Sequence, residues 1–337
     1  MKPVPEKIVL AHGSGGRLSR ELVESVFLKA FSNPALAPLE DSAEVRIPGA
    51  TLAFTTDSYV VTPVEFPGAD IGRVAVCGTV NDLSVKGARP LALSAGFILE
   101  EGFSGKMLAR IVSSMRRAAD EAGVKIVTGD TKVVERGKAD GVFINTAGVG
   151  LIPKGRRLSS AAVRPGDVVI VSGSLADHGV AVMNARDRLG LESSIKSDAA
   201  PLNGLAEAAL KVPGVRAMRD ITRGGLATVL NEVSAACGLT AEVDEDSVPV
   251  SVPARNACAL LGLDPLYVAN EGKLAVFVSP EAAPRALKAM RAHRYGSAAA
   301  IVGRMLKEKK PQVRLNTSIG GARVMLMLEG EQLPRIC

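Results

Sequence analysis

Four aspartates, Asp57, Asp82, Asp130 and Asp220, each adjoin an apolar segment of this 337-residue chain. A rigid scaffold can hold carboxylates so placed at one cleft, and hard oxygen ligands suit a Mg²⁺ that bridges nucleotide phosphates. Taken singly, each reads first as a helix cap or a turn residue; four together, beside Gly and Thr, point further. His12-Gly13-Ser14-Gly15-Gly16 precedes a helical pattern. Its glycines let backbone N–H groups converge on a phosphate at a helix N-terminus, although a flexible turn explains it equally well. No Gly-Lys-Ser/Thr follows, and Leu18 stands where a dinucleotide fingerprint needs glycine, so neither familiar nucleotide loop is present. Gly224-Gly225 after Thr222-Arg223 opens a second helix of the same kind.

Lys132 and Glu271 are polar residues at the ends of apolar segments, where the plain reading is a surface ion pair or a cap. Cys337 is the last residue. Alone it is an unpaired terminal thiol, yet a thiol on a tail can enter a cleft and leave again, as a tethered carrier must. The adjacent α-carboxylate should raise its pKa, and Arg335 or a cationic cleft should lower it.

Composition narrows the classes. Cys77, Cys237, Cys258 and Cys337 form no C-x-x-C pair, and His12, His178 and His293 are the only histidines. A zinc site, a disulfide framework and a His-rich metal centre are not expected. Aromatics make up 3% of the chain and tryptophan is absent, so platforms for stacking single-stranded bases are lacking. The net charge of +6 is spread out, and Lys307–Lys310 reads as a solvated segment; no nucleic-acid partner is expected. No apolar run is long enough to span a bilayer and the first residues are not signal-like, so the expected setting is cytoplasmic, with no membrane partner.

Periodicity predicts the elements that must position these residues. The first half reads as helix 18–31, strand 50–56, helix 71–86 stopped by Gly87, strand 91–99, helix 106–121, a short buried strand 124–128 and strand 142–151. Residues 152–155, Ile-Pro-Lys-Gly, mark a boundary. The second half starts over with strand 168–172, helices after Leu175, at 202–211 and at 225–236, and strand 240–243. Helix 254–261, strand 274–278, helix 281–292 and strand 299–302 follow. All four aspartates then fall on loops or element ends, and 330–337 reads as a mobile tail. The class is α/β or α+β.

The motifs resemble, in order and over essentially the whole chain, the HypE family of hydrogenase maturation factors. They are His12–Gly16, Thr55-Thr-Asp57, Asn81-Asp82 with Gly87-Ala-Arg-Pro90, Thr128-Gly-Asp130-Thr131-Lys132 and Asp177-His178-Gly179. Arg219-Asp220-Ile-Thr222-Arg-Gly-Gly225, Ala269-Asn-Glu271-Gly-Lys273 and the ending Pro334-Arg-Ile-Cys337 complete the set. Most are shared with aminoimidazole ribonucleotide synthetase and selenophosphate synthetase, while the ending discriminates. The resemblance implies a two-domain PurM-like fold. Residues 1–153 would form an ATP-binding and dimerisation domain whose sheet builds a dimer barrel, 154–305 an α/β domain, and 306–337 a segment ending in the tail.

It also implies ATP with Mg²⁺ between the domains, with Asp57, Asp82, Asp130 and Asp220 at the metal or triphosphate. The His12–Gly16 loop would lie over the phosphates, and Thr79, Asn81, Thr131, Thr222, Gly224 and Gly225 would line the site. Cys337 would receive a carbamoyl group from the carbamoyltransferase HypF and carry it through ATP-driven dehydration to a thiocyanate. Lys132 and Glu271 would relay protons. The cyanide would pass to iron on a HypC–HypD complex, bound for a NiFe hydrogenase. Two alternatives are a selenophosphate-type synthetase, disfavoured because the first 76 residues contain no cysteine, and a nucleotide-binding scaffold, which has no need of the full set of carboxylates with Lys132 and Glu271.

Overall fold

A computed structural model describes residues 5–187, 189, 194–330 and 335–337. The chain enters through α1 (Arg17–Leu22), which continues through a π turn at Val23–Phe27 into α2 (Leu28–Phe31). The first sheet then forms from β1 (Ala43–Ile47) and β2 (Ala50–Tyr59). A small hairpin, β3 (Glu65–Phe66) and β4 (Ala69–Asp70), leads to α3 (Ile71–Val85). Next come β5 (Arg89–Glu100), α4 (Gly105–Ala122), β6 (Lys125–Val134) and β7 (Val142–Ile152). The sheet order is β1-β2-β7-β5-β6, parallel only between β5 and β6.

α4 follows from its sequence. The Ser104 side chain caps its start by accepting from Met107 N, and Ile111, Met115, Ala118 and Ala122 bury one stripe. Gly123 ends it in the left-handed conformation, with φ at 69°. α3 is apolar nearly all round because it is enclosed: it packs on β2 and β7 on one side and on elements of the second domain on the other.

That second domain is a seven-stranded sheet of order β14-β13-β10-β12-β8-β11-β9. Its elements run β8 (Val168–Val171), α5 (Asp177–Asp187), α6 (Asn203–Leu210), β9 (Val215–Asp220), α7 (Gly225–Cys237) and β10 (Thr240–Asp244). They continue with α8 (Val252–Leu261), β11 (Leu274–Val278), α9 (Ala283–Arg291), β12 (Ala300–Leu306), β13 (Val313–Asn316) and β14 (Ala322–Val324). All five residues of β11 are buried, as a strand covered on both faces requires. β13 and β14 belong to this sheet, so 306–324 completes the second domain and is not a separate segment.

Three sequence expectations change. β2 and β6 run through Asp57 and Asp130, whereas Asp82, in the last turn of α3, and Asp220, the last residue of β9, keep their element ends. β6 is exposed and not buried: it is the sheet's edge, and cross-strand pairing, not burial, carries it through Gly129–Lys132. β1 and β9 are additional strands that apolar patterning did not reveal.

Asn81 fastens the two domains. Its Nδ2 donates to Ala200 O (3.1 Å) and approaches Glu271 O (3.4 Å), while its Oδ1 accepts from Leu202 N (2.7 Å). Asn81→Ala would leave a buried N–H and carbonyl without partners, a cost of about 1–3 kcal/mol. The urea midpoint should fall at unchanged slope, and an unaltered midpoint would show that the clamp carries no stability.

Candidate functional site

Five stretches of chain bring carboxylates to one place. Asp41 precedes β1, Asp57 lies in β2, Asp82 in α3, and Asp220 ends β9 opposite Leu274, the first residue of β11. Glu271 sits three residues before that strand. Carboxylate oxygens of Asp41, Asp82 and Asp220 all lie within 4.8 Å of one another. Burial and mutual repulsion hold the Asp41 and Asp82 carboxyls well above the usual range, and burial pushes Asp220 to about 6. Arg219 contacts Asp41 (2.7 Å) and Glu232 (2.7 Å), and Thr55 Oγ1 lies 2.7 Å from Asp82 Oδ2. Tyr59 donates to Asp57 Oδ2 (3.1 Å). Its hydroxyl fits against α3 only because residue 78 is glycine: a Cβ there would stand 2.2 Å from it.

Glu271 is presented by a pinned loop. Asp198 accepts from Glu271 N (2.9 Å) and from Lys273 Nζ (2.7 Å), and a Cβ on Gly272 would lie 1.9 Å from Asp198 O. Neighbouring Asn270 accepts from Ala176 N (2.9 Å). The Glu271 carboxyl is buried and held well above its ordinary value by burial and by Asp220, Asp198 and Asp57. Its Oε1 has no hydrogen-bond partner among the described residues.

The tail reaches this place. Val60 N donates to Cys337 O (3.1 Å), Thr62 N to Arg335 O (3.3 Å) and Arg335 Nε to Val60 O (2.9 Å); Arg335 also pairs with Asp140. Ile336 is 2% exposed and joins the cluster that holds Val61, Phe66, Val182 and Ala269. Residues 335–337 are therefore docked, where the sequence suggested mobility; Pro334 and the three residues before it lie outside the described residues. Burying Ile336 contributes roughly 1.5–3 kcal/mol, and four hydrogen bonds add about 1 kcal/mol each. Ordering three residues costs roughly 3–6 kcal/mol. The balance favours docking by a few kcal/mol at most, a margin small enough for a segment that comes and goes.

Burial pushes the docked thiol up to about 12; Arg223 opposes the rise, and Glu271, Asp57 and Asp220 add to it. A cavity of about 220 Å³ surrounds Cys337, lined by Gly13, Ser14, Arg223, Gly224 and Leu328. Arg223 donates to Gly13 O, and Gly16, at the start of α1, packs on Leu328 O. The glycine loop thus folds over the tail, while His12 Nδ1 accepts from Val9 N (3.0 Å).

The sequence-selected residues divide. Asp57, Asp82, Asp220, Glu271, Cys337, Gly13, Ser14 and Gly224 meet at or beside the cleft. Thr79 is buried nearby, 2.6 Å from Thr146 Oγ1. Asn81 is not free to line a ligand, since both ends of its amide are spent on the domain clamp. Thr222 O accepts from Gly225 N (3.0 Å), and Gly225 packs where a Cβ would lie 2.4 Å from Leu266 O. Asp130, Thr131 and Lys132 stand elsewhere. Paired residues of neighbouring strands share a face. Asp130 and Lys132 pair with Gly96 and Ile98 on the outer face, whereas Asp57 pairs with buried Thr146 on the helix face. Two strands intervene, a separation of roughly 14 Å. Asp130 and Lys132, 71% and 70% exposed, pair with each other at 2.8 Å.

Asp41 and Tyr59 were not singled out, and Arg219, Arg223 and His178 stood in named motifs without a role. Asp41 needs β1, which the pattern hid; Tyr59 was legible from its two-residue spacing from Asp57 in a strand. The hard oxygen set of Asp41, Asp82 and Asp220, crowded and short of positive charge, fits a divalent cation.

Residues 39–152 match the model of the AIR synthase related protein N-terminal domain, and 164–316 that of its C-terminal domain. The carbamoyl dehydratase HypE of Rhodobacter capsulatus is 55% identical over 335 residues, 98% of each chain. Among solved structures, a HypE–HypF complex superposes with a TM-score of 0.87 at 46% identity, covering 91% of this chain and 99% of that one. HypE in complex with ATP superposes at 0.83 and 48%, covering 98% and 100%.

The raised carboxyls carry a pH consequence. A folded-state pKa of about 6 for Asp220, above its unfolded value, favours the protonated native state. Metal-free protein should therefore gain stability as pH falls from about 6 toward the ordinary aspartate range. Mg²⁺ should raise the melting temperature by a few degrees in mildly alkaline buffer and much less in acid. Asp220→Asn should melt higher than wild type in a chelator and lose the Mg²⁺ increment. A Mg²⁺ increment that is the same at both pH values, or that survives in Asp220→Asn, would contradict this electrostatic picture.

Proposed function

The chain belongs to the HypE family of carbamoyl dehydratases, within the AIR synthase related proteins, and from that we propose that its cleft uses ATP to dehydrate a carbamoyl group carried on Cys337. The observation that carries the reading is Glu271, a buried carboxyl with an oxygen that has no partner among the described residues, near enough to the docked C-terminal cysteine for its charge to raise the thiol.

The chemistry needs three things. An amide oxygen leaves poorly until it is phosphorylated: the carbonyl oxygen of the thiocarboxamide attacks the terminal phosphorus of ATP, and the bond to ADP breaks. The nitrogen then gives up both protons while the carbon–oxygen bond breaks, leaving a thiocyanate and inorganic phosphate; one proton ends on phosphate and one in solvent. Asp41, Asp82 and Asp220 would hold Mg²⁺, which neutralises phosphate charge. Asp57, steadied by Tyr59, would add a further carboxylate beside that cation, and Gly13–Gly16 and Gly224 would close over the phosphates. Arg223 would face the charge that develops beside sulfur. Glu271 would take a proton from nitrogen; its raised carboxyl needs the cation and Arg223 alongside to be ionised, so the base becomes competent only in the loaded cleft.

The docked thiol, protonated at neutral pH, is a poor nucleophile. The tail would therefore collect its carbamoyl group undocked, on a HypF-type carbamoyltransferase, then return, and later deliver cyanide to an iron held by a HypC–HypD-type complex. Lys132 and Asp130, on the opposite face, would not serve the cleft of their own subunit, and Thr131, on the helix face of the same edge strand, lies three strand spacings from it. A homodimer packed through the outer sheet face would cover exposed Phe54 and Ile98 and carry Asp130 and Lys132 toward the partner's cleft.

With a HypF-type enzyme and carbamoyl phosphate, the C-terminal peptide of wild type should gain a carbamoyl group and lose one water on adding ATP. Cys337→Ala should gain nothing. Glu271→Gln should take up the carbamoyl group normally and dehydrate it at least about 100-fold more slowly; dehydration at the normal rate would sink the base assignment. Sedimentation equilibrium should give a dimer for wild type and a monomer for Ile98→Asp, with dehydration lost in the monomer. Full activity in a monomeric Ile98→Asp would rule out a role for the partner's Lys132.

A further inference from the structure

The tail is gripped from both domains, and one grip has no counterpart in the chemistry described above. His178, in the first turn of α5, is fully buried. Its Nε2 lies 2.8 Å from Ile336 O, and its Nδ1 2.8 Å from Ser197 Oγ. A carbonyl can only accept, so Nε2 carries the proton and Nδ1 accepts from the Ser197 hydroxyl. The tautomer is thereby fixed by the serine. The ring is held on its edge by Phe66 of the small hairpin, at 5.5 Å between centroids and 83°. Ser197 is itself tied to that hairpin, its N–H donating to Pro67 O at 2.8 Å.

We infer that His178 is the positioning residue that latches the tail: its Nε2–H, oriented by Ser197, holds the Ile336 carbonyl and so sets how long Cys337 stays in the cleft. Three arguments support it. The other hydrogen bonds to the tail's backbone, with Val60 and Thr62, come from the first domain, so among the described residues the histidine is what hydrogen-bonds the tail's backbone to the second domain. When the tail leaves, the donor Nε2–H loses a buried partner, which favours return. And because docking is favoured by only a few kcal/mol, one hydrogen bond is a large share of it and multiplies the undocked fraction severalfold when lost.

The inference rests on Cys337 being a carrier that leaves and returns, but its test reads thiol exposure and requires neither nucleotide nor partner. Full-length protein is treated with iodoacetamide, and alkylation of Cys337 and Cys237 is followed by peptide mass. His178→Phe keeps a ring against Phe66 and removes the donor; His178→Gln keeps a donor. Alkylation of Cys337 should be roughly three- to tenfold faster in His178→Phe, from the loss of one hydrogen bond. In His178→Gln it should stay within about twofold of wild type. Cys237, on α7, should react at one rate in all three. The latch is overturned if Cys337 reacts equally in His178→Phe and wild type, if the Gln variant is as fast as the Phe variant, or if Cys237 speeds up in parallel. Wild-type Cys337 reacting as fast as in the isolated tail peptide would overturn it as well.

Discussion

Like charge in a dry place is the constraint on which the rest of this molecule depends. Asp41, Asp82 and Asp220 approach within 4.8 Å, with Asp57 and Glu271 beside them and Arg219 and Arg223 as the nearby cations. Such a cluster persists only where surrounding structure over-determines it. That structure is visible: α3 enclosed between the domains, β9 locked to β11 at the register of Asp220 and Leu274, and a clamp from Asn81 across the domain boundary. The fold stores an unmet need for positive charge at the place where a metal-bound polyphosphate would supply it.

The tail answers to the same field. Its hydrogen bonds and its single apolar anchor exceed the cost of ordering it by a few kcal/mol at most, as a carrier that must leave and return requires. The cleft's carboxyls and its dryness push the thiol up to about 12, which suppresses thiolate chemistry while Cys337 is inside. A sulfur already carrying an uncharged carbamoyl group bears no such penalty. The electrostatics therefore favour the loaded over the bare thiolate form in the cleft, and the sequence of events follows from charge.

Much of this was legible in the residues. Periodicity located helix 71–85 and the buried strand 274–278 closely, because stripe and stop signals were strong. The spacing of the motifs pointed to the family and to Cys337. What escaped was tertiary. A strand at a sheet edge, such as β6, need not alternate in hydrophobicity, so Asp130 and Lys132 looked like loop residues near the other aspartates; only pairing with Gly96 and Ile98 turns them to the opposite face. Asn81 resembled a ligand because a buried amide serves a domain clamp as well as it serves a nucleotide. Asp41 was hidden since β1, half-exposed and short, gives a weak pattern. His178 stood in a recognised motif, but its partner is a backbone carbonyl more than 150 residues away, which no local reading supplies.

The central claim is that the carbamoyl oxygen is phosphorylated while Cys337 lies in this cleft. The most direct measurement places a heavy-oxygen label in the carbamoyl group on Cys337 and follows it through one turnover with unlabelled ATP. The account predicts the label in inorganic phosphate, one atom for each thiocyanate formed; label released as water would contradict it.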